Sequence, residues 1–148
     1  MTEPAPLRAL ALVCSLKASP APSSSDLIAR QLLDELGTHG VLERLDAELS
    51  ETDESGRPLV TGKVAVTAVV GNEDGAHKIT ADLMQGLDDN GFTIPAQGGT
   101  YWNDVAMGSR DYNDLDETPE AVASTNKTLA ENAAHLARLL KGSPYPSS

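Results

Sequence analysis

The sequence predicts an α/β fold, a parallel sheet of about three strands flanked by helices. Three observations carry that expectation. An apolar run, Leu7 to Leu16, gives way after a Ser/Pro loop to an apolar stripe of helical period. A β-branched run, Lys63 to Gly71, is followed through a short polar turn by a second such stripe. A short strand pattern, "FTIP", then leads through a long polar connection to a last helical stripe. Strands alternating with helices imply βαβ units, parallel pairing and right-handed crossovers.

The elements follow in order. "LRALALVCSL" is short and closed by turn residues, as expected of a strand buried on both faces. From Ser25 the period changes: Leu27, Ile28, Leu32, Leu33 and Leu36 line one side, opposite Arg30, Gln31, Asp34 and Glu35. The serines before Asp26 supply an N-cap, and Gly37 to Gly40 ends this helix. "VLERLDAEL" reads as a second helix, with Val41, Leu42, Leu45 and Leu49 on one face, and "SETDESGRPLVTG" as a polar loop. "KVAVTAVVG" is the clearest strand. The next helix starts near Ala76, shares Ile79, Leu83, Met84 and Leu87 on a face, and stops at Asn90-Gly91. After "FTIP" comes "AQGGTYWNDVAMGSRDYNDLDE", read as a loop of about 20 residues, a length usually functional or mobile. Thr118 as N-cap and Pro119 at the first helical position open the last helix, which buries Val122, Thr125, Leu129, Leu136 and Leu140 up to Gly142. Residues 1–148 are expected to form one domain, with 1–6 and 143–148 flexible.

Composition narrows the partners. Lys plus Arg total 11 against 22 for Asp plus Glu, a formal net charge of −11. That field repels nucleic acid and anionic membrane, and leaves a small molecule as the expected substrate. The single Cys14 excludes an internal disulfide and suits a reducing compartment. The start "MTEPAPLRAL" has no signal-type apolar core, and no run reaches the roughly 18 apolar residues of a membrane span. The expected location is cytoplasmic. Nothing in the sequence has metal-ligand spacing.

In a parallel α/β sheet ligands bind beyond the carboxyl ends of the strands. Three loops fall there: "SLKASPAPSSS", "GNEDGAH" and "AQGGTYWND". The first leads into a helix N-terminus, where backbone N–H groups, serine hydroxyls and Lys17 suit a phosphate. In the second, Glu73, Asp74 and His77 suit acid–base work, or His77 is a solvated residue at a helix start. The third holds the sole Trp of a chain with 3% aromatic residues, so Tyr101 and Trp102 are expected to stack on a ring or to pack at an interface. Asn103 and Asp104 are expected to add polar contacts. His39 and His135 read as exposed histidines.

At these loops the chain resembles the flavodoxin-like family of NAD(P)H-dependent FMN reductases and quinone reductases. The resemblance rests on the first strand with its Ser-rich loop, and on the block from "VLERLDAELSETDESGRPLVTGKVAVTAVVGNEDGAH" through "GFTIPAQGGTYW" to the last helix. It implies FMN as cofactor and NAD(P)H as co-substrate. Carried over residue by residue, it implies Ser15, Lys17, Ser19, Ser23, Ser24 and Ser25 around the phosphate. It likewise implies Gly71, Asn72, Glu73, Gly75 and Trp102 beside the rest of the flavin. Asp74, His77 and Tyr101 are the catalytic candidates. A full member of that family has five parallel strands. Here nothing between "LLDELGTHG" and "VLERLDAEL" supplies the second and third strands with their ring-binding loop, a gap of roughly 50 to 60 residues by the usual size of such units. The first strand would then pair with "VAVTAVV" or expose an apolar edge, which predicts a homo-oligomer through that edge.

Three functions follow as alternatives. The first is an FMN-binding, NAD(P)H-dependent oxidoreductase acting on a quinone or similar acceptor. The second is a flavin-free enzyme that reuses the crevice for a non-redox rearrangement, cyclisation or isomerisation of a small molecule. The third is a non-catalytic subunit that binds a partner.

Overall fold

The computed structural model describes residues 7–9, 23–37, 40–42, 52–71 and 75–146. Its elements are β1 (Leu7–Ala9), α1 (Ser24–Gly37), β2 (Gly40–Leu42), β3 (Thr67–Gly71), α2 (Ala76–Asp89), β4 (Gly99–Asn103) and α3 (Glu120–Gly142), with a 3-10 turn at Tyr112–Asp114. Among the described residues the strands pair in parallel, in two pairs, β1 with β2 and β3 with β4. A parallel sheet with flanking helices is therefore what the chain forms.

Its strands are distributed differently from the expectation. Val41 and Leu42 belong to β2, not to a helix, and pair with Arg8 and Ala9. A second strand, expected from the sequence to be missing, is thus present and pairs with β1 in place of the expected "VAVTAVV". In "KVAVTAVVG" the ladder proper starts at Thr67, and the earlier half contributes one parallel bridge, Val64 to Thr93. That bridge is all the strand character "FTIP" has. The strand partner of β3 lies later, at Gly99–Asn103, inside the stretch expected to be loop. Its signal is period 2: Thr100 and Trp102 are buried while Tyr101 and Asn103 are exposed.

Alternation assigns the two faces of the β3–β4 pair. Trp102 clusters with Ile28 of α1, Val122 of α3 and Tyr112, and Ala68 and Val70 pack against them, so this face meets α1 and α3. Gly99 and Tyr101 face α2. A side chain at Gly99 would come within 3.0 Å of Thr80 Cγ2 and 3.1 Å of Met84 Cε. Helix α2 buries a narrower stripe than its leucines suggest, since Ile79 and Leu83 are 47% and 46% exposed. Helix α3 is held by small residues: Val122, Asn126, Leu129, Ala130, Ala133 and Ala134 are buried, while Thr125 is exposed. Its N-cap is Pro119, one residue later than expected, and the Thr118 hydroxyl instead accepts a hydrogen bond from Gln31 Nε2 at 2.8 Å. The other end of the Gln31 amide accepts from the Tyr112 hydroxyl at 2.7 Å, which ties α1 to the segment before α3.

After α3 the chain is hydrogen-bonded back to earlier segments as far as residue 146. Arg57 Nη1 donates to the carbonyls of Tyr145 (3.5 Å) and Pro146 (3.0 Å), and the Tyr145 hydroxyl meets Thr93 Oγ1 at 3.1 Å. Arg57 is held in turn by Asp53, whose carboxylate also accepts from Ser55 N–H and hydroxyl and from Arg57 N–H. These bonds, the Ser55 hydroxyl first, pull the Asp53 pKa from 3.8 down to about 2. A depressed carboxylate stabilises the fold above its unfolded pKa, and that contribution fades as pH falls from about 4 through about 2. An NMR titration of the Asp53 carboxyl carbon is expected to show a midpoint near 2; a midpoint in the ordinary aspartate range means the turn is not held in solution.

No helix among the described residues is long and apolar enough to cross a membrane.

Candidate functional site

The carboxyl ends of β3 and β4 meet at the register pair Gly71 and Asn103. The Asp104 N–H donates to the Gly71 carbonyl at 3.3 Å and continues the ladder one step past β4. After Gly71 the chain continues into residues 72–74, and Asn72, Glu73 and Asp74 lie outside the described residues. It enters α2 from Gly75 at φ +112°, a conformation that favours glycine although a Cβ there would meet nothing.

Two of the predicted catalytic residues come together here. The His77 ring, on the first turn of α2, stands edge-on to the Tyr101 ring with centroids 4.9 Å apart and planes at 71°. Both side chains are exposed, Tyr101 to 43%. An edge contact of this kind orients the phenol, which stays partly exposed at the surface.

Trp102 is a correction. It is 8% exposed and packs against Tyr112 at 5.3 Å, inside the core. The two adjacent aromatics point to opposite faces because they sit on a strand and not in a loop. Tyr101, not Trp102, is the aromatic offered at the surface. Asp104 is a second correction. Its Oδ2 and Oδ1 accept from Arg110 Nε at 2.9 Å and Nη2 at 2.8 Å, so both oxygens are engaged by a guanidinium. Hydrogen bonding from Arg110 holds the Asp104 carboxyl below the usual aspartate range. Sequence reading had no signal for Arg110, since six residues through a turn follow no helical or strand spacing.

At the start of α1 three predicted serines divide their work. Ser23 is the N-cap: its Oγ accepts from the Asp26 N–H at 3.1 Å and its carbonyl from the Leu27 N–H at 3.1 Å. Ser24 Oγ is buried with no hydrogen-bond partner among the described residues. Ser25 is partly exposed beside it. Ser15, Lys17 and Ser19, with Cys14, lie outside the described residues. An orphaned hydroxyl beside the free N–H groups of a helix start fits an anion such as a phosphate. A concavity near α1, about 260 Å³ between Leu27, Gln31, Tyr112 and Thr118, is small against the roughly 300–1,000 Å³ of ligand pockets.

No protein-family model matches the chain. It is 29% identical over 110 residues to 8-demethyl-8-aminoriboflavin-5′-phosphate synthase from Streptomyces davaonensis, a match covering 72% of this chain. The chain spans 42% of the length of that curated relative. In fold it matches the crystal structure of RosB with bound 8-demethyl-8-formylriboflavin-5′-phosphate, with a TM-score of 0.75 and 19% identity. That match covers 94% of this chain and 82% of RosB. The chain is therefore similar to a flavin-related enzyme and has the α/β fold of RosB.

Proposed function

We propose that this chain binds a flavin 5′-phosphate across the carboxyl ends of its strands and handles it as a substrate for a change at the ring. The observation that carries the reading is the similarity to an enzyme named for making an aminoriboflavin phosphate. The described residues fit such a ligand at both ends. The start of α1, with Ser24 Oγ and the free N–H groups, would hold the phosphate. The exposed Tyr101 face would receive the ring. His77, beside that ring, would serve as a proton donor or acceptor.

A bound flavin that stays oxidised supplies only an electron-poor ring for such chemistry. The oxidoreductase reading uses the same cradle but asks FMN to pass hydride from NAD(P)H to a quinone. Fluorescence titration with FMN, then mass analysis of the recovered flavin, separates the two. The expected result is saturable FMN binding and no bleaching of bound flavin by NADH or NADPH. Bleaching that a quinone reverses replaces this reading with the oxidoreductase, and absence of FMN binding removes both.

A further inference from the structure

We propose that Asp104 and Arg110 form a positioning pair that fixes the loop after β4 at the strand ends, so that Val105 and Met107 make an apolar wall for the ligand's planar ring. This deepens the flavin-phosphate reading above and rests on it for the ligand, though not for the pair.

The pair stands where such a device is needed. Asp104 is tied to Gly71 through its backbone and to Arg110 through both carboxylate oxygens. The Asp104 side chain is only 12% exposed, so the fork is shielded on its acidic side. Two parallel N–H···O bonds fix the angle between the partners as well as the distance. The short loop they close contains a tight turn, in which the Gly108 N–H donates to the Val105 carbonyl at 2.8 Å. Gly108 is required there, because a Cβ would lie 2.7 Å from that carbonyl oxygen. Met107 adopts φ +63°, a left-handed conformation uncommon for a side-chain-bearing residue.

The result of this strained, clamped turn is to present apolar groups to solvent: Val105 is 75% exposed and Met107 89%. Backbone strain of this kind persists where the surroundings over-determine it. A thioether and a branched aliphatic group suit the edge or face of an aromatic ring system. The loop leaves the same strand end that carries Tyr101, the exposed ring paired with His77. One planar ligand at the strand ends explains why these side chains are outside the core.

The test is an FMN fluorescence titration of the full chain and three variants, with hydrogen exchange of amides 105–109 measured in parallel. Val105→Thr combined with Met107→Asn removes the apolar wall, and Asn tolerates the left-handed backbone. This variant is expected to bind FMN about tenfold more weakly with unchanged exchange. Arg110→Ala is expected to exchange faster at 105–109 and to lose about tenfold in FMN affinity through lost preorganisation. Arg110→Lys, a point charge without the fork, is expected to fall between the two proteins in exchange.

Unchanged FMN affinity in the double variant overturns the wall. A change in molecular mass by light scattering in its place assigns the apolar turn to contact between copies, and overturns it too. Unchanged exchange in Arg110→Ala overturns the positioning role. If the unmodified chain binds no FMN, the flavin reading and the wall fall together, while the exchange measurement still judges the pair.

Discussion

Replacing Trp102 by alanine is expected to lower the unfolding free energy by about 3–5 kcal/mol, measured by circular dichroism in urea. Domains of this kind are stable by only about 5–15 kcal/mol, so the loss is a large share of the total. The physical reason is position. Trp102 is 8% exposed and packs on Tyr112, with Ile28 and Val122 in the same cluster, so truncation opens a cavity where α1, β4 and α3 converge. The tilted contact between the two rings, at 5.3 Å and 53°, is lost as well. Tyr101, one residue earlier and 43% exposed, faces the other side of the sheet and makes no part of that cluster. A cost below about 1 kcal/mol for Trp102→Ala, the size typical of surface changes, would place the indole outside the core.

Ser24→Ala is expected to reduce FMN affinity about tenfold and leave riboflavin affinity unchanged, because a hydrogen bond to a charged group is worth about 1.5–3 kcal/mol. The same change is expected to leave the unliganded protein no less stable. Ser24 Oγ is buried without a partner among the described residues, a desolvation cost that alanine removes. Ser23→Ala has the opposite signature in the free protein: it deletes the cap on the Asp26 N–H and costs about 1 kcal/mol. Adjacent serines thus separate into one that caps the helix and one that the proposed flavin phosphate would engage. Titration with FMN and riboflavin, together with urea melts of both variants, reads the distinction. Equal losses for FMN and riboflavin in Ser24→Ala would remove the phosphate from this position.

Helices were legible in the sequence because stripes such as Leu27, Ile28 and Leu32 repeat with one period over several turns. Strand β2 was not. Val41 and Leu42 continue into Leu45 and Leu49 at helical spacing, and three residues of ladder leave no competing pattern. β4 was hidden by its neighbours: Gly98-Gly99 before it and Asn103-Asp104 after it are turn chemistry, which outweighed the alternation of Thr100 to Asn103. In α3 the buried face is set by how closely it packs, and alanines at 130, 133 and 134 allow an approach that leucine does not. Leu139, by contrast, is 54% exposed.

The site shows the same division. The proposal of an anion at the start of α1 and the juxtaposition of His77 with Tyr101 follow from the rule that α/β ligands sit at strand carboxyl ends. The engagement of Asp104 by Arg110 and the orphaned Ser24 hydroxyl depend on side-chain geometry across turns, which no spacing encodes.

The clasp of Arg57 on the carbonyls of Tyr145 and Pro146 bears on how the chain assembles. Its partners are 88 and 89 residues apart, against three or four for the bonds within the helices. Closing so long a loop has an entropic cost that no local contact repays, so this contact belongs late in folding, after α2 and the β3–β4 pair exist to receive it. A contact made that late contributes to the barrier against opening and not to the speed of closing. The segment after α3 accordingly acts as a kinetic fastener, joining residues 145–146 to the turn at Arg57.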